Sequence, residues 1–173
     1  ECGMPIPREA LRLQGDPDAP RLVTQKTQQD YTEQMQTWGR EKLDELAQQD
    51  LCGYIFKSRS PSSGMERIKV YNESGNPGAT GVGIWARMFM DRFPFLPVED
   101  EGRLHDPRLR ERFIEHVFVY WRWRQLEKQG PDIGALTDFH ARHKLLLMAH
   151  SPELHKEMGR YVAHAKSYPR EEI

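Results

Sequence analysis

The chain has 173 residues, 38% hydrophobic and 29% charged, with a formal net charge of -1 at pH 7, which gives one domain, or one domain plus a smaller helical piece, a modest core under a strongly polar surface. No apolar run approaches the roughly 18 residues of a membrane span, and two cysteines, Cys2 and Cys52, do not make a disulfide-stapled secreted domain. A soluble protein of the reducing cytoplasm, without membrane contact, is therefore expected.

The opening Glu-Cys-Gly-Met-Pro-Ile-Pro carries neither a basic start nor an apolar core, so it is not a targeting segment, and the chain reads as an internal fragment. Ala10–Leu13 and Arg21–Thr24 are short apolar segments either side of the turn-rich Gln14-Gly15-Asp16-Pro17-Asp18, which predicts two edge strands or a hairpin. Tyr31, Met35, Trp38, Leu43 and Leu46 recur at helical spacing and predict an amphipathic helix from about Asp30 to Ala47 that covers a sheet face. Gly53–Phe56 reads as a buried strand and Ile68–Tyr71 as a half-exposed one. Asn72 to Gly78 is dense in turn residues, Gly83–Phe93 returns to helical spacing, and Phe95–Glu99 reads as a strand ending in a carboxylate.

This order predicts an α/β fold with a Rossmann-like, mostly parallel sheet and flanking helices. Ligands of such sheets bind beyond the carboxyl ends of the strands, here the loops after Phe56 and Val98. From Asp106-Pro107, an N-cap followed by a first-turn proline, a long helix is predicted to about Lys128, stopped by Gly130-Pro131. Helices from about Ile133 to Ala149 and from Ser151-Pro152-Glu153 toward Ala165 follow, so the last third is all helix, with no closing element over Pro169–Ile173. The division expected is 1–104 for the α/β domain, 105–130 for a connecting helix and 131–173 for the start of a helical domain.

Three segments carry candidate chemistry. Ser60-Pro61-Ser62-Ser63-Gly64 sets three hydroxyls and a glycine on a turn, where backbone N–H groups and side chains can hold an anion or a polar ligand, with Lys57 and Arg59 just upstream and Glu99 at a neighbouring strand end. An ordinary Ser/Pro/Gly turn is the plain alternative. His140, His143 and Lys144 share a helical face that His150 nearly continues, which suits a basic, phosphate-facing surface, a metal site or a solvated face. That helix lies in a stretch, Asp106 to Arg170, with more bases than acids and six of the seven histidines. Tyr120-Trp121-Arg122-Trp123-Arg124 interleaves aromatics and arginines as base-stacking surfaces do, although Trp121 falls in the apolar stripe of its helix with Val117, leaving Trp123 and the arginines as surface readers.

Pro5–Ala10, Tyr54–Tyr71 and Leu96–Glu99 together resemble the thiouracil desulfidase domain, and Phe139–Pro152 resembles the opening of the YbgA-like domain often fused behind it. The combined arrangement is similar to bacterial tRNA 4-thiouridine desulfidases. The resemblance implies non-redox removal of sulfur from a thiolated uracil on a 4Fe–4S cluster held by three cysteines, with the fourth iron open as a Lewis acid for the thiocarbonyl sulfur. Two of those cysteines would precede Glu1, and the third falls at Ser63, so the cluster is not expected on this chain as it stands.

Ser60 matches a residue that the family places near the substrate, and it is expected to act in catalysis with Glu99. Lys57, Ser62, Gly64 and Arg8 are expected around the substrate, a thiolated nucleobase or tRNA, and His140, Arg142, His143 and Lys144 on RNA. The rival functions are a nucleic-acid-binding or structural paralogue without a cluster, and a metal-dependent hydrolase built on His140, His143 and His150.

Overall fold

A computed structural model describes residues 2–130 and 132–168. Among them are six strands, β1 (Leu11–Gln14), β2 (Arg21–Thr24), β3 (Tyr54–Phe56), β4 (Ile68–Tyr71), β5 (Pro77–Gly81) and β6 (Val98–Asp100). Five α-helices accompany them: α1 (Thr32–Ala47), α2 (Ile84–Arg92), α3 (Pro107–Gln129), α4 (Ile133–His150) and α5 (Pro152–Ala163). The chain is an α/β fold followed by a helical region. It forms two compact units, with the boundary between Val117 and Phe118, inside α3.

In the first unit a four-stranded sheet runs β2-β1-β4-β5 and a two-stranded sheet pairs β3 with β6. β1–β4 and β3–β6 are parallel, while β1–β2 and β4–β5 are antiparallel hairpins, so the sheet is mixed. Alternation decides which way each strand faces. Leu13, Leu22, Val23, Ile68 and Val70 are buried, whereas Lys69 between two of them is exposed.

Aromatic rings fill the space between β3 and the helices. Phe89 lies 4.2 Å from the Tyr54 ring and 5.5 Å edge-on from Phe56, and Trp85 joins Trp38 of α1 at 5.2 Å. The Trp85 indole N–H donates to the Tyr54 hydroxyl at 3.1 Å, so the one polar atom of a buried ring has its partner. α1 approaches α2 at Gly39, where an added Cβ would lie 2.9 Å from Met88 Cε.

Three expectations are corrected. Pro77 and Gly78 belong to β5, not to the preceding turn, which closes earlier through the Asn72 N–H to Asn76 O bond of 2.9 Å and Gly75 at φ +79°. The β5 sequence Pro-Gly-Ala-Thr-Gly carries no large apolar residue, because both its faces are largely exposed. Ile55 of β3 is exposed, since a two-stranded sheet is covered on one face only. Phe95 is exposed as well, and β6 begins at Val98 because a turn closed by the Leu96 N–H to Phe93 O bond of 3.1 Å precedes it.

In the helical region the Asp132 carboxylate caps α4 through the Ala135 N–H at 2.9 Å, and Ser151 caps α5 through the Leu154 N–H at 3.2 Å, ahead of Pro152 in the first turn. α3 stops at Gly130, with φ +82°. Pro131, expected to complete that stop, lies outside the described residues, as does the expected bare end over Pro169–Ile173. Among the described residues no helix is long and apolar enough to cross a membrane.

Candidate functional site

The segment from Lys57 to Arg67 leaves β3 and returns as β4, and its geometry is held by backbone bonds. Gly64 N–H donates to Ser60 O at 2.8 Å, closing the turn, and Ser63 N–H donates to Ser60 Oγ at 3.2 Å. Ser60 Oγ and Ser62 Oγ are 3.1 Å apart. With its oxygen taken up by an N–H, the Ser60 hydroxyl keeps its proton for Ser62 or for a ligand.

The other side of the turn docks on the first turn of α2. Ser62 O accepts the N–H groups of Trp85 at 2.8 Å and Ala86 at 3.3 Å, and Gly64 O accepts that of Gly83 at 2.8 Å. These are donors that a helix start leaves without an intrahelical partner. Contact this close requires glycine at both positions. A Cβ on Gly64 would meet Ser60 O at 2.7 Å, and one on Gly83 would meet Ser62 O at 2.5 Å.

Ion pairs tie the loop to the end of β6. Lys57 pairs with Glu101, and the Ser58 hydroxyl donates to the same carboxylate at 3.4 Å. The Lys57 ammonium holds the Glu101 carboxyl below the usual carboxylate range. Arg103 bridges two acids, donating from Nε to Glu99 Oε1 and from Nη1 to Glu66 Oε1, both at 2.8 Å. Those two carboxylates, Glu99 foremost, push the guanidinium pKa up. Glu99 Oε1 also accepts the Asp100 N–H at 2.9 Å, and the Asp100 carboxylate takes the Gly102 N–H at 2.7 Å. Glu99 is thereby positioned by a strand end and by a cation.

Arg59 and Arg67, near the two ends of the loop, both adopt φ +55°. Left-handed backbone at a non-glycine residue costs about 1–2 kcal/mol. Beside them opens a cleft of about 720 Å³ whose lining includes Arg12, Arg59, Arg67, Lys69 and Arg103, with Glu66 and Asp100 as its acids. Arg8 stands apart from this cleft, in a cavity of about 220 Å³ with Glu9, Thr27 and Tyr31.

A family model described as 2-thiouracil desulfurase matches residues 1–101. The chain belongs to the 2-thiouracil desulfurase family. Among curated proteins, uncharacterized protein YbgA of Escherichia coli (strain K12) is 32% identical over 56 residues, 32% of this chain and 33% of that protein, so the chain spans about a third of the length of this relative. No solved structure matches.

For a 2-thiouracil desulfurase the donor set of the loop is the point to test against an iron–sulfur cluster. Such clusters are held by thiolates. Here the turn presents the hydroxyls of Ser60, Ser62 and Ser63, and serine oxygen is a poor ligand for cluster iron. Among the described residues no three His, Cys, Asp or Glu side chains converge as a metal would need. The residues present do not fit the cluster.

The histidine face predicted on α4 is corrected. His143 is buried, its Nδ1–H donates to Phe139 O at 2.8 Å, and its ring lies 4.2 Å from the Phe139 ring. That tautomer leaves Nε2 to face Arg122 Nη1 at 3.5 Å. His140 packs on His155 of α5, rings 5.8 Å apart and nearly parallel at 9°. Burial, then the charges of His155 and Lys144, lower the His140 pKa below its ordinary value. His143 therefore cannot meet RNA phosphates from the surface, nor join His140 and His150 in a hydrolase centre. Arg142, Lys144 and His150 are exposed.

The core place expected for Trp121 is corrected: Trp121 is exposed, and Trp123, half-buried, donates its indole N–H to Glu127 at 2.8 Å and packs edge-on against Phe139 at 5.4 Å. Sequence reasoning missed the Glu66–Arg103–Glu99 bridge, whose two pairs are 37 and 4 residues apart along the chain and leave no pattern. It also missed Arg67 and Lys69 as partners, although their alternation with Ile68 and Val70 marks them as one outward row.

Proposed function

We propose that this chain handles a thiolated uracil, as the free base or within tRNA, in the reaction of its family, where C=S becomes C=O, one water is consumed and hydrogen sulfide leaves. The observation that carries this reading is the Ser60–Gly64 turn, fixed on the start of α2 within the matched region, with the Ser60 hydroxyl proton available to a ligand. Hydrogen bonding from Ser60 polarises a thiocarbonyl, and Glu99, held by Arg103 and the Asp100 N–H, is the base assigned to water. Lys57, Ser62 and Gly64 shape the pocket around the ring. No step is assigned to a cluster, because the residues of the turn do not fit one.

Ser63 favours a second reading, a nucleic-acid-binding or structural protein that has kept the fold without the reaction. Arg142 and Lys144 on α4 are then the RNA contacts. Sulfide release from 4-thiouridine and from 2-thiouracil, assayed anaerobically with the full-length protein before and after iron and sulfide reconstitution, separates the two readings. Turnover that falls about 100-fold in Ser60→Ala supports the first. Tight RNA binding with no sulfide release under either condition supports the second.

A further inference from the structure

The last turns of α3 and the first half of α4 line a groove of about 380 Å³, and every lining residue belongs to the second compact unit. Trp121 and Leu126 of α3 and Phe139 of α4 give it apolar walls. Small-ligand sites occupy about 300–1,000 Å³ and combine an apolar lining with a few convergent polar groups. Trp121 keeps 47% of its surface exposed, so a broad ring face is presented at the groove rather than spent in a core.

Arg122 of α3 and Arg142 of α4 bring two guanidiniums to the groove against one carboxylate, Asp138. None of these three joins an ion pair among the described residues, so the groove keeps a net positive charge. The third polar group is His143, which is buried and donates its Nδ1–H to Phe139 O at 2.8 Å. Its Nε2 lone pair faces Arg122 Nη1 at 3.5 Å. A neutral acceptor of this kind orients a guanidinium without cancelling its charge. That charge is left for a ligand.

We propose that this groove binds a small planar aromatic carboxylate, its ring against Trp121 and Phe139 and its carboxylate on Arg122 and Arg142. The planar fork of N–H donors on arginine matches the two oxygens of a carboxylate. One monoanion also balances two guanidiniums and one Asp138. A flat ring suits walls that are themselves aromatic, because ring pairs attract beyond the area they bury. The groove shares no residue with the Ser60–Gly64 turn and needs none of the chemistry proposed there.

Calorimetric titration of the full chain with 2-naphthoate at low ionic strength tests the proposal, with the neutral 2-naphthamide and the non-aromatic cyclohexanecarboxylate as comparison probes. The variants are Arg122→Gln/Arg142→Gln, Trp121→Ala and, as a charge control outside the groove, Lys156→Gln. All four side chains are exposed, so each variant should unfold within about 2 °C of the wild type. The expected result is saturable binding of 2-naphthoate that weakens about tenfold or more in the arginine variant and roughly threefold in Trp121→Ala. Lys156→Gln should match the wild type, and both comparison probes should bind more weakly than 2-naphthoate. Binding of 2-naphthamide as tight as that of 2-naphthoate, or equal binding of 2-naphthoate by the wild type and the arginine variant, overturns the proposal. So does an absence of saturable 2-naphthoate binding together with weaker tRNA binding in the arginine variant, which makes the groove an RNA surface.

Discussion

Trp85 donates its backbone N–H to the carbonyl oxygen of Ser62 at 2.8 Å, joining the serine turn to the first turn of α2. The contact exists because neither Gly83 nor Gly64 carries a Cβ. In Gly83→Ala the new methyl would lie 2.5 Å from Ser62 O and 2.9 Å from Gly64 N, which are backbone atoms and cannot rotate aside. A loss of about 1–3 kcal/mol is expected from the overpacking. Urea denaturation measures it, and limited proteolysis between Lys57 and Arg67 should become faster in the same variant.

His143 and its two neighbours on α4 separate stability from recognition. His143→Ala removes a buried ring that bonds Phe139 O and packs on Phe139, so a loss of about 2 kcal/mol is expected from the cavity and the missing bond. Arg142→Gln/Lys144→Gln touches exposed side chains only and should leave the unfolding temperature within about 1 °C, as surface substitutions usually do. If α4 meets RNA, the double variant binds a tRNA several-fold more weakly and with a shallower salt dependence. Gel-shift titration at two salt concentrations reads both effects, and unchanged affinity removes α4 from the RNA surface.

Much of the order of elements is legible in the sequence because local chemistry fixes it. Asp106-Pro107 and Ser151-Pro152 announce two helix starts, and the structure shows the carboxylate and the hydroxyl each on an N–H of the first turn. β5 is not legible, because a largely exposed strand of Gly, Ala and Thr has no apolar period to reveal it. Trp121 is exposed for a related reason: α3 buries no residue, so a stripe counted along its sequence has no single core to face. At the candidate site, the serine turn is visible as a motif, but its docking on α2 depends on glycines about twenty residues apart, and the cleft on side chains from β1, β4 and the segment after β6. Long-range pairing of that kind has no signature in a single sequence.

The stacked pair His140 and His155 makes the α4–α5 packing sensitive to acid. Burial is the main cause that lowers the His140 pKa, with the neighbouring His155 and Lys144 adding to it, and no acidic side chain pairs with His140 among the described residues. Its Nδ1 is buried without a hydrogen-bond partner, so a proton there would have no acceptor to receive it. A histidine whose folded pKa lies below its unfolded value of about 6.5 favours folding in its neutral form. Above that value both states are neutral and stability does not change with pH. Below it the unfolded chain takes up a proton that the folded one resists, so stability declines until the folded His140 itself titrates. Thermal unfolding followed by circular dichroism should therefore show a fall in midpoint between about pH 6.5 and pH 5. His140→Phe keeps a ring against His155 and removes the titrating group, so its midpoint should fall less over that interval. An equal slope in the variant and the wild type would assign the acid sensitivity to other groups.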